Sequence, residues 1–212
     1  MQFTRDNLNE LRQKIVDAPR IIFHRNSHLD DAATQWFLRD VAGISNEFEF
    51  QWNHNIQIDG EKGEIGLDVI HEFSVKGYEQ DSGGFSSAFR CVVEAFFPDQ
   101  DQDERLAMEP ILLWVDGDDS VGSATKSFLG EEHTLIEDTG LTTIFQAYKS
   151  NHGIHGDVVT NQRFGEMVLT PLYQYHLMRQ KAFKQVRETC EIQLHGVVGM
   201  CLGRVPKEAM GY

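Results

Sequence analysis

Apolar positions along the chain follow two patterns, one with the spacing of helices and one with the short runs typical of strands. The helical spacing predicts helices over residues 6–17, about 32–42, 86–97, 104–115, 139–151 and 162–187. The last of these is one long helix that we expect to kink at Pro171. The short runs predict strands at 21–24, 47–52, 56–60, 65–71 and 197–202. Strands that alternate with helices in this way are typical of an α/β fold.

One apolar run stands out because polar side chains follow it at once. His24, Asn26, His28 and Asp30 come at alternate positions after it, and Asp31 is next to the last of them. Ligand sites of α/β sheets lie at the carboxyl ends of strands, just before a helix. Imidazole and carboxylate together are ligands for zinc, iron or manganese. The stretch therefore predicts a metal site. The alternative is a strand-to-helix loop in which Asp30 or Asp31 merely caps the helix.

Composition and charge limit the kinds of substrate and partner that we expect the chain to bind. The 212 residues, 41% of them hydrophobic, suit one α/β domain or one with a small appendage. The net charge of −14 and the lack of a dense Lys/Arg cluster disfavour long nucleic acid as a substrate. No apolar run reaches membrane-spanning length, and the N-terminus lacks the apolar core of a signal peptide. Cys91, Cys190 and Cys201 form no CxxC pair, which favours a reduced, cytoplasmic setting.

The stretch from His24 to Asp30, read as His-x-Asn-x-His-x-Asp, resembles the first motif of the DHH phosphoesterase superfamily. A variant with histidine before the aspartate is typical of the MYG-type metal-dependent hydrolases. The resemblance implies a two-metal phosphoesterase, usually manganese-dependent, on a parallel-sheet domain. By position in the motif, it implies that His24 and His28 bind one metal and that Asp30 binds the other.

Two further motifs of the superfamily have partial counterparts. Asp59 before Gly60 resembles the MYG-type Asp-x-Gly-Gly, which implies that Asp59 bridges the metals. The Asp-His-His triplet itself is absent, and Asp68-x-x-His71 is its nearest match. That match adds Asp68 to the candidate ligands and implies that His71 binds the second metal. The residues alone leave open that Asp59 lies in a turn and that His71 is a core histidine.

A glycine-rich loop at Gly83 and Gly84 leads into Ser86-Ser87-Ala88, which resembles the Ser-Ser-Ala helix start of superfamily members. The open N–H groups of a first helical turn hold anions such as phosphate. Ser86, Ser87 and Arg90, together with Asn26, are therefore candidate substrate contacts. Simple capping by a serine and an exposed surface arginine are the alternatives.

The predicted helix at 104–115 ends in Val-Asp-Gly-Asp-Asp-Ser, which resembles the fourth motif of the MYG-type members. The resemblance implies that Asp116 is the last metal ligand, with Asp119 beside it. An ordinary turn is the alternative. Further along, residues 151–156 form a predicted loop with His152 and His155, either solvated or close enough to the site to hold phosphate.

These observations lead us to expect a DHH-type α/β domain over residues 1–130, with a mainly parallel central sheet and flanking helices. Residues 131–212 would form a helical extension packed on the same domain. We expect two divalent metals, Mn²⁺ first among the candidates, to support hydrolysis of a nucleotide or short oligonucleotide. The expected catalytic residues are His24, His28, Asp30, Asp59 and Asp116. No membrane partner is expected, and a homo-oligomer is left open.

Two alternatives remain at this stage. The missing Asp-His-His triplet would suit a catalytically altered or inactive descendant that binds a nucleotide or a protein partner. The second alternative is another metallohydrolase, because Asn26-x-His28-x-Asp30-Asp31 distantly resembles the HxHxDH of the metallo-β-lactamase fold. That fold places its motif after several strands, whereas only 23 residues precede His24 here.

Overall fold

The computed structural model describes residues 7–77, 86–99, 102–121, 140–152, 158–189, 191–195 and 198–202. The α-helices within these ranges are α1 (Leu8–Asp17), α2 (Leu29–Trp36), α3 (Ala88–Phe96), α4 (Asp103–Val121), α5 (Leu141–His152), α6 (Val158–Phe164) and α7 (Thr170–Thr189). The strands are β1 (Arg20–His24), β2 (Glu47–Gln51), β3 (Ile65–Leu67), β4 (Ser74–Val75), β5 (Glu191–His195) and β6 (Val198–Leu202).

Four of the strands form one parallel sheet in the order β2-β1-β3-β4. Strand β1 lies inside the sheet, and Ile21, Ile22 and Phe23 are fully buried because helices and loops cover both faces. Ile22 pairs with Gly66 of β3, and Phe23 pairs with Phe50 of β2. The predicted α/β fold with a mainly parallel central sheet is confirmed.

The flanking helices bury their apolar faces on this sheet. Leu11 and Ile15 of α1 are fully buried in the same core cluster as Phe89 of α3. The C-terminal helices join that cluster, because Trp36 of α2 packs edge-on against Tyr173 and donates a hydrogen bond to Thr170 Oγ1 at 2.9 Å. The helical character predicted for the C-terminal part is confirmed. None of the described helices is long and apolar enough to cross a membrane.

The structure differs from the predicted elements in four places. Residues 56–60, predicted as a strand, form none; residues 56–59 lie between two short 3₁₀ turns, and Gly60 begins the second of them. The strand predicted at 65–71 ends at Leu67. Helix α4 continues through Val121 instead of ending at residue 115, so its aspartates lie on a helix and not in a turn. The irregularity near Pro171 is a π-helical turn over Gly165–Leu169, where Thr170 N–H bonds to the carbonyl of Gly165. Pro171 lacks an N–H and sits in the first turn of α7, where that loss costs least.

The sequence also missed two strands, β4 and β5. The strand predicted at 197–202 is present as β6 over Val198–Leu202, and it pairs antiparallel with β5. The predicted loop at 151–156 lies largely outside the described residues, as do Gly83, Gly84 and His155.

Candidate metal centre

The polar residues that follow β1 and β3 meet at one edge of the sheet. His24 is the last residue of β1, and Asp68 follows directly after β3. Because the two strands run parallel and are paired, their carboxyl ends lie side by side. His28, Asp30 and Asp31 stand at the start of α2, which begins where β1 has ended. The fold thus brings the side chains of the predicted motif together in one cluster.

The first ligand group consists of His24, His28, Asp31 and Asp68, each with a potential ligand atom within 4.8 Å of the others. His24 Nε2 lies 3.2 Å from Asp31 Oδ2 and 3.6 Å from Asp68 Oδ2. Its ring centroid lies 4.8 Å from that of His28. Two nitrogen and two oxygen donors form a set that suits a divalent transition metal.

A second ligand group consists of Asp30, Asp68 and Asp119, whose carboxylate oxygens also lie within 4.8 Å of one another. Asp119 comes from α4, so this group joins two helices and a strand end. Asp68 belongs to both groups, and a carboxylate with two oxygens is able to serve two cations at once. Oxygen-only sets of this kind suit hard divalent ions such as Mg²⁺ or Mn²⁺.

Two buried atoms of the first group lack hydrogen-bond partners. Among the described residues, His24 Nδ1 and Asp31 Oδ1 are buried and have none. Leaving such polar atoms unpaired costs free energy. The His24 atom that lies next to Asp31 and Asp68 is Nε2, so the donor set, and not these two atoms, is the observation that fits a bound cation.

Helix α3 holds Asp30 in place from the other side. The backbone N–H groups of Ala88 and Phe89 donate to the two oxygens of Asp30 at 2.9 and 2.7 Å, and Thr34 Oγ1 donates at 3.3 Å. The sequence predicted that this helix start binds an anion, and the anion in the structure is the carboxylate of Asp30 itself. Asp30 is therefore oriented by a helix N-terminus towards Asp68 and Asp119.

Asp31 combines the two roles that the sequence presented as alternatives. Its Oδ2 accepts the backbone N–H of His28 at 2.8 Å and closes a capping box at the start of α2. The same carboxylate faces His24 and belongs to the first ligand group. Capping fixes the side chain in the orientation that a ligand would need.

The electrostatics of the cluster also favour bound cations. Burial and then the neighbouring Asp68 raise the pKa of both Asp30 and Asp31 well above the usual range. Burial, Asp68 and Asp116 raise the pKa of Asp119 to about 6. Burial and the nearby His24 lower the pKa of His28, which favours the neutral imidazole that binds metals. Divalent cations would relieve the mutual repulsion of these carboxylates.

Asp68 has an unusual backbone. Its φ angle is +53°, the only positive value for a non-glycine residue in the described part of the chain. Left-handed backbone costs an aspartate on the order of 1 kcal/mol, and such strain is often found at functional sites. The conformation turns the chain sharply after β3 and places the Asp68 carboxylate between the two ligand groups.

A cavity of about 350 Å³ opens beside the second ligand group. Ligand-group residues form one wall, and uncharged side chains of α5 contribute to the other. The lining residues are His28, Asp30, Asp118, Asp119, Thr142 and Gln146. A cavity of this size would hold a small molecule next to the candidate metals.

Two of the predicted ligands lie elsewhere. Asp59 is at the amino end of β3, where it caps the turn Gly60–Lys62 and pairs with Lys62 at 2.8 Å. Parallel strands bring their carboxyl ends together, so a residue before β3 lies at the opposite edge from His24. The structure therefore does not bring Asp59 into either ligand group, and Asp68 is the residue that the two groups share. His71 accepts a hydrogen bond from Phe73 N–H at 3.3 Å and is in neither ligand group.

Asp116 is also absent from both groups, since its carboxylate already has other partners. It accepts hydrogen bonds from Ser87 N–H at 2.9 Å and Ser87 Oγ at 2.6 Å, and it is paired with Arg90. The arginine is buried and also contacts Glu94 and Glu109. Asp119 lies one helical turn beyond Asp116 and occupies the position in the second ligand group that the resemblance assigns to Asp116.

The predicted substrate contacts have structural partners instead. Ser87 caps α3, and Ser86 is buried with its hydroxyl 3.6 Å from Cys91 Sγ. Arg90 is neither a phosphate contact nor an exposed surface residue, because it is buried in its carboxylate network. Of this set, Asn26 alone is exposed near the motif, in the bend that follows β1.

Comparison of the chain with models of protein families, with curated proteins and with solved structures finds no match. Fold and site together define an α/β protein with a parallel sheet and two adjoining candidate metal-binding groups at its carboxyl edge. Any closer assignment depends on the residues of the motifs and on their geometry.

Proposed function

We propose that the chain is a two-metal phosphoesterase of DHH type that hydrolyses a small phosphorylated substrate, with Mn²⁺ as the preferred metal. One observation carries this proposal: two ligand groups share Asp68 at the carboxyl edge of a parallel sheet. His24, His28 and Asp31 would hold one metal, Asp30 and Asp119 the other, and Asp68 both.

Metals held by these residues would supply the chemistry of such sites: a bound water of lowered pKa and neutralisation of the phosphoryl oxygens. The protein contributes the geometry. The N–H groups of Ala88 and Phe89 orient Asp30, and the capping box orients Asp31. The α5 side chains Thr142 and Gln146 line the cavity and would be available to hydrogen-bond the part of the substrate that does not react.

A small substrate suits both the cavity and the charge. A volume of about 350 Å³ would accommodate a group the size of a nucleotide or a sugar phosphate. The net charge of −14 opposes the approach of a polyanion. Two divalent metals would supply local positive charge, which is enough for one phosphate group.

A non-catalytic binding protein is the second candidate, and a specific observation favours it. Asp116 and His71, which the resemblance assigns to the metals, lie in neither group, so the second group contains carboxylates only. Such a site would bind its metal more weakly and would suit a protein that retains nucleotide binding without turnover.

The experiment is a phosphatase screen of the metal-free protein reconstituted with Mn²⁺, Mg²⁺ or Zn²⁺. Substrates would be mononucleotides, dinucleotides and a long RNA. We expect Mn²⁺-dependent release of phosphate or mononucleotide from the small substrates, and loss of activity in Asp68→Asn. Nucleotide binding without turnover at any metal would favour the second candidate, and preference for the RNA would contradict the substrate class.

A further inference from the structure

Residues of the C-terminal helices α5 and α6 hydrogen-bond to the loop between His24 and His28. Lys149 of α5 donates a hydrogen bond from Nζ to the backbone carbonyl of Ser27 at 2.6 Å. The lysine is only 9% exposed, which is unusual for a residue that is normally solvated. Ser27 stands directly before His28, so this bond fixes the backbone on which that imidazole is mounted.

A second contact fixes the side chain of the same serine. Asn161 of α6 is fully buried and donates from Nδ2 to Ser27 Oγ at 3.0 Å. Ser27 Oγ in turn lies 3.4 Å from the carbonyl of His24, to which it donates. The serine, itself fully buried, therefore connects both histidines of the first ligand group to α5 and α6.

We infer that Lys149 and Asn161 are positioning residues of the metal centre, which they support through Ser27 without binding the metal themselves. This inference rests on the proposed metal site and gives the C-terminal helices a function. Replacement of residues that orient metal ligands without binding the metal typically changes metal affinity by about 10–100-fold.

The sign of the change in metal affinity distinguishes a positioning role of Lys149 from simple electrostatic repulsion of the cation. A lysine close to a cation site repels the cation, so loss of its charge alone would strengthen metal binding. Loss of the bond to Ser27 would release the loop and weaken binding. Lys149→Met therefore has opposite expected effects under the two explanations. Since Lys149 and Asn161 both act through Ser27, their effects should also be less than additive.

The test is calorimetric titration of the metal-free, full-length chain with Mn²⁺. The variants are Lys149→Met, Lys149→Arg, Asn161→Ser, Ser27→Ala and the Lys149→Met/Asn161→Ser double variant. Lys184→Met is the matched control, because it removes one positive charge from an exposed lysine that pairs with Asp103 at 3.6 Å. Circular dichroism of each metal-free variant reports whether it folds.

We expect about tenfold weaker Mn²⁺ binding in Lys149→Met and in Asn161→Ser. Lys149→Arg should recover part of the loss, and Lys184→Met should bind as the wild type does. Equal or tighter binding in folded Lys149→Met would overturn the inference and leave the proposed metal site intact. If Lys149→Met does not fold, unchanged binding in Ser27→Ala and Asn161→Ser would overturn it instead. A wild-type chain that binds no Mn²⁺ would overturn the proposed function together with the inference.

Discussion

The backbone N–H of Phe89 donates to Oδ1 of Asp30 at 2.7 Å, across a separation of 59 residues in the sequence. This bond joins the start of α3 to the motif that begins α2. It gives Asp30 a structural role beside its proposed role as a ligand. Replacement of Asp30 should therefore affect both folding stability and metal binding, and the two effects are separable.

The first prediction concerns this double role. Asp30→Asn keeps one oxygen acceptor for the N–H groups of Ala88 and Phe89, whereas Asp30→Ala leaves both donors unpaired and buried. In the presence of EDTA, Asp30→Ala should be less stable than Asp30→Asn by about 1–3 kcal/mol. Chemical denaturation measures this difference. Both variants should lose Mn²⁺ binding at the second group, and equal stability of the two would show that α3 does not depend on Asp30.

The second prediction separates two aspartates of α4. The family resemblance implies Asp116 as a ligand, whereas the structure has Asp119 in the second group and Asp116 bound to Ser87 and Arg90. Asp116→Asn should keep Mn²⁺ affinity within about twofold, because a change well under 1.4 kcal/mol is expected away from the ligands. Asp119→Asn should weaken it at least about tenfold. The reverse order of affinities in a metal titration would restore the ligand role of Asp116.

These corrections show which parts of the site the sequence could predict. His24, His28 and Asp30 belong to one local pattern, a strand that leads into a helix, and such patterns are readable from spacing alone. Asp59 and Asp68 both stand near β3, and the choice between them depends on where that strand begins and ends. The resemblance to the fourth motif assigns Asp116 as the ligand, and the sequence pattern did not show that α4 continues through both Asp116 and Asp119.

Other features could not be predicted from the sequence, for a different reason. The bonds from Ala88 to Asp30 and from Lys149 to Ser27 join residues 58 and 122 positions apart. No local propensity encodes such a pairing, since it depends on how the helices pack on the sheet. An aspartate that occupies a helix N-terminus also removes the phosphate site that the Ser-Ser-Ala start predicted.

The third prediction concerns the pH dependence of the metal-free protein. The pKa of Asp119 is raised from its ordinary value of 3.8 to about 6, so the folded state binds this proton more tightly than the unfolded state. The contribution of Asp119 to stability is thus fully present below about pH 3.8 and is lost as the pH rises through 6. Because the Asp119 side chain stays partly exposed, solvent screens much of this repulsion, and the effect is smaller than the pKa shift alone implies. At pH 8 in EDTA, Asp119→Asn should melt higher than the wild type by about 2–4 °C, which corresponds to roughly 1 kcal/mol.

The wild type provides the control for this prediction. Addition of Mn²⁺ at pH 8 should raise its melting temperature, because the cation binds the folded state only. Asp119→Asn should gain much less. Thermal melts at several pH values, with and without Mn²⁺, measure both effects. A wild-type chain whose melting temperature exceeds that of Asp119→Asn in EDTA at pH 8 would contradict the proposed repulsion.

The fourth prediction tests the backbone of Asp68. Its φ of +53° is easily adopted by glycine and is costly for alanine. Asp68→Gly should therefore be more stable than Asp68→Ala by about 1 kcal/mol in EDTA, as urea denaturation would measure. Neither variant should bind Mn²⁺ at both groups. Equal stabilities would indicate that the chain after β3 relaxes from the left-handed conformation.

The central claim is that two metals share Asp68, and low-temperature electron paramagnetic resonance of the Mn²⁺-loaded chain tests it most directly. Two Mn²⁺ ions that share a carboxylate are magnetically coupled, so the account predicts a broad multiline spectrum from an exchange-coupled pair. Asp68→Asn should lose that coupling. A simple six-line spectrum of isolated Mn²⁺ in the wild type, at saturating metal, would contradict the shared ligand and with it the proposed two-metal site.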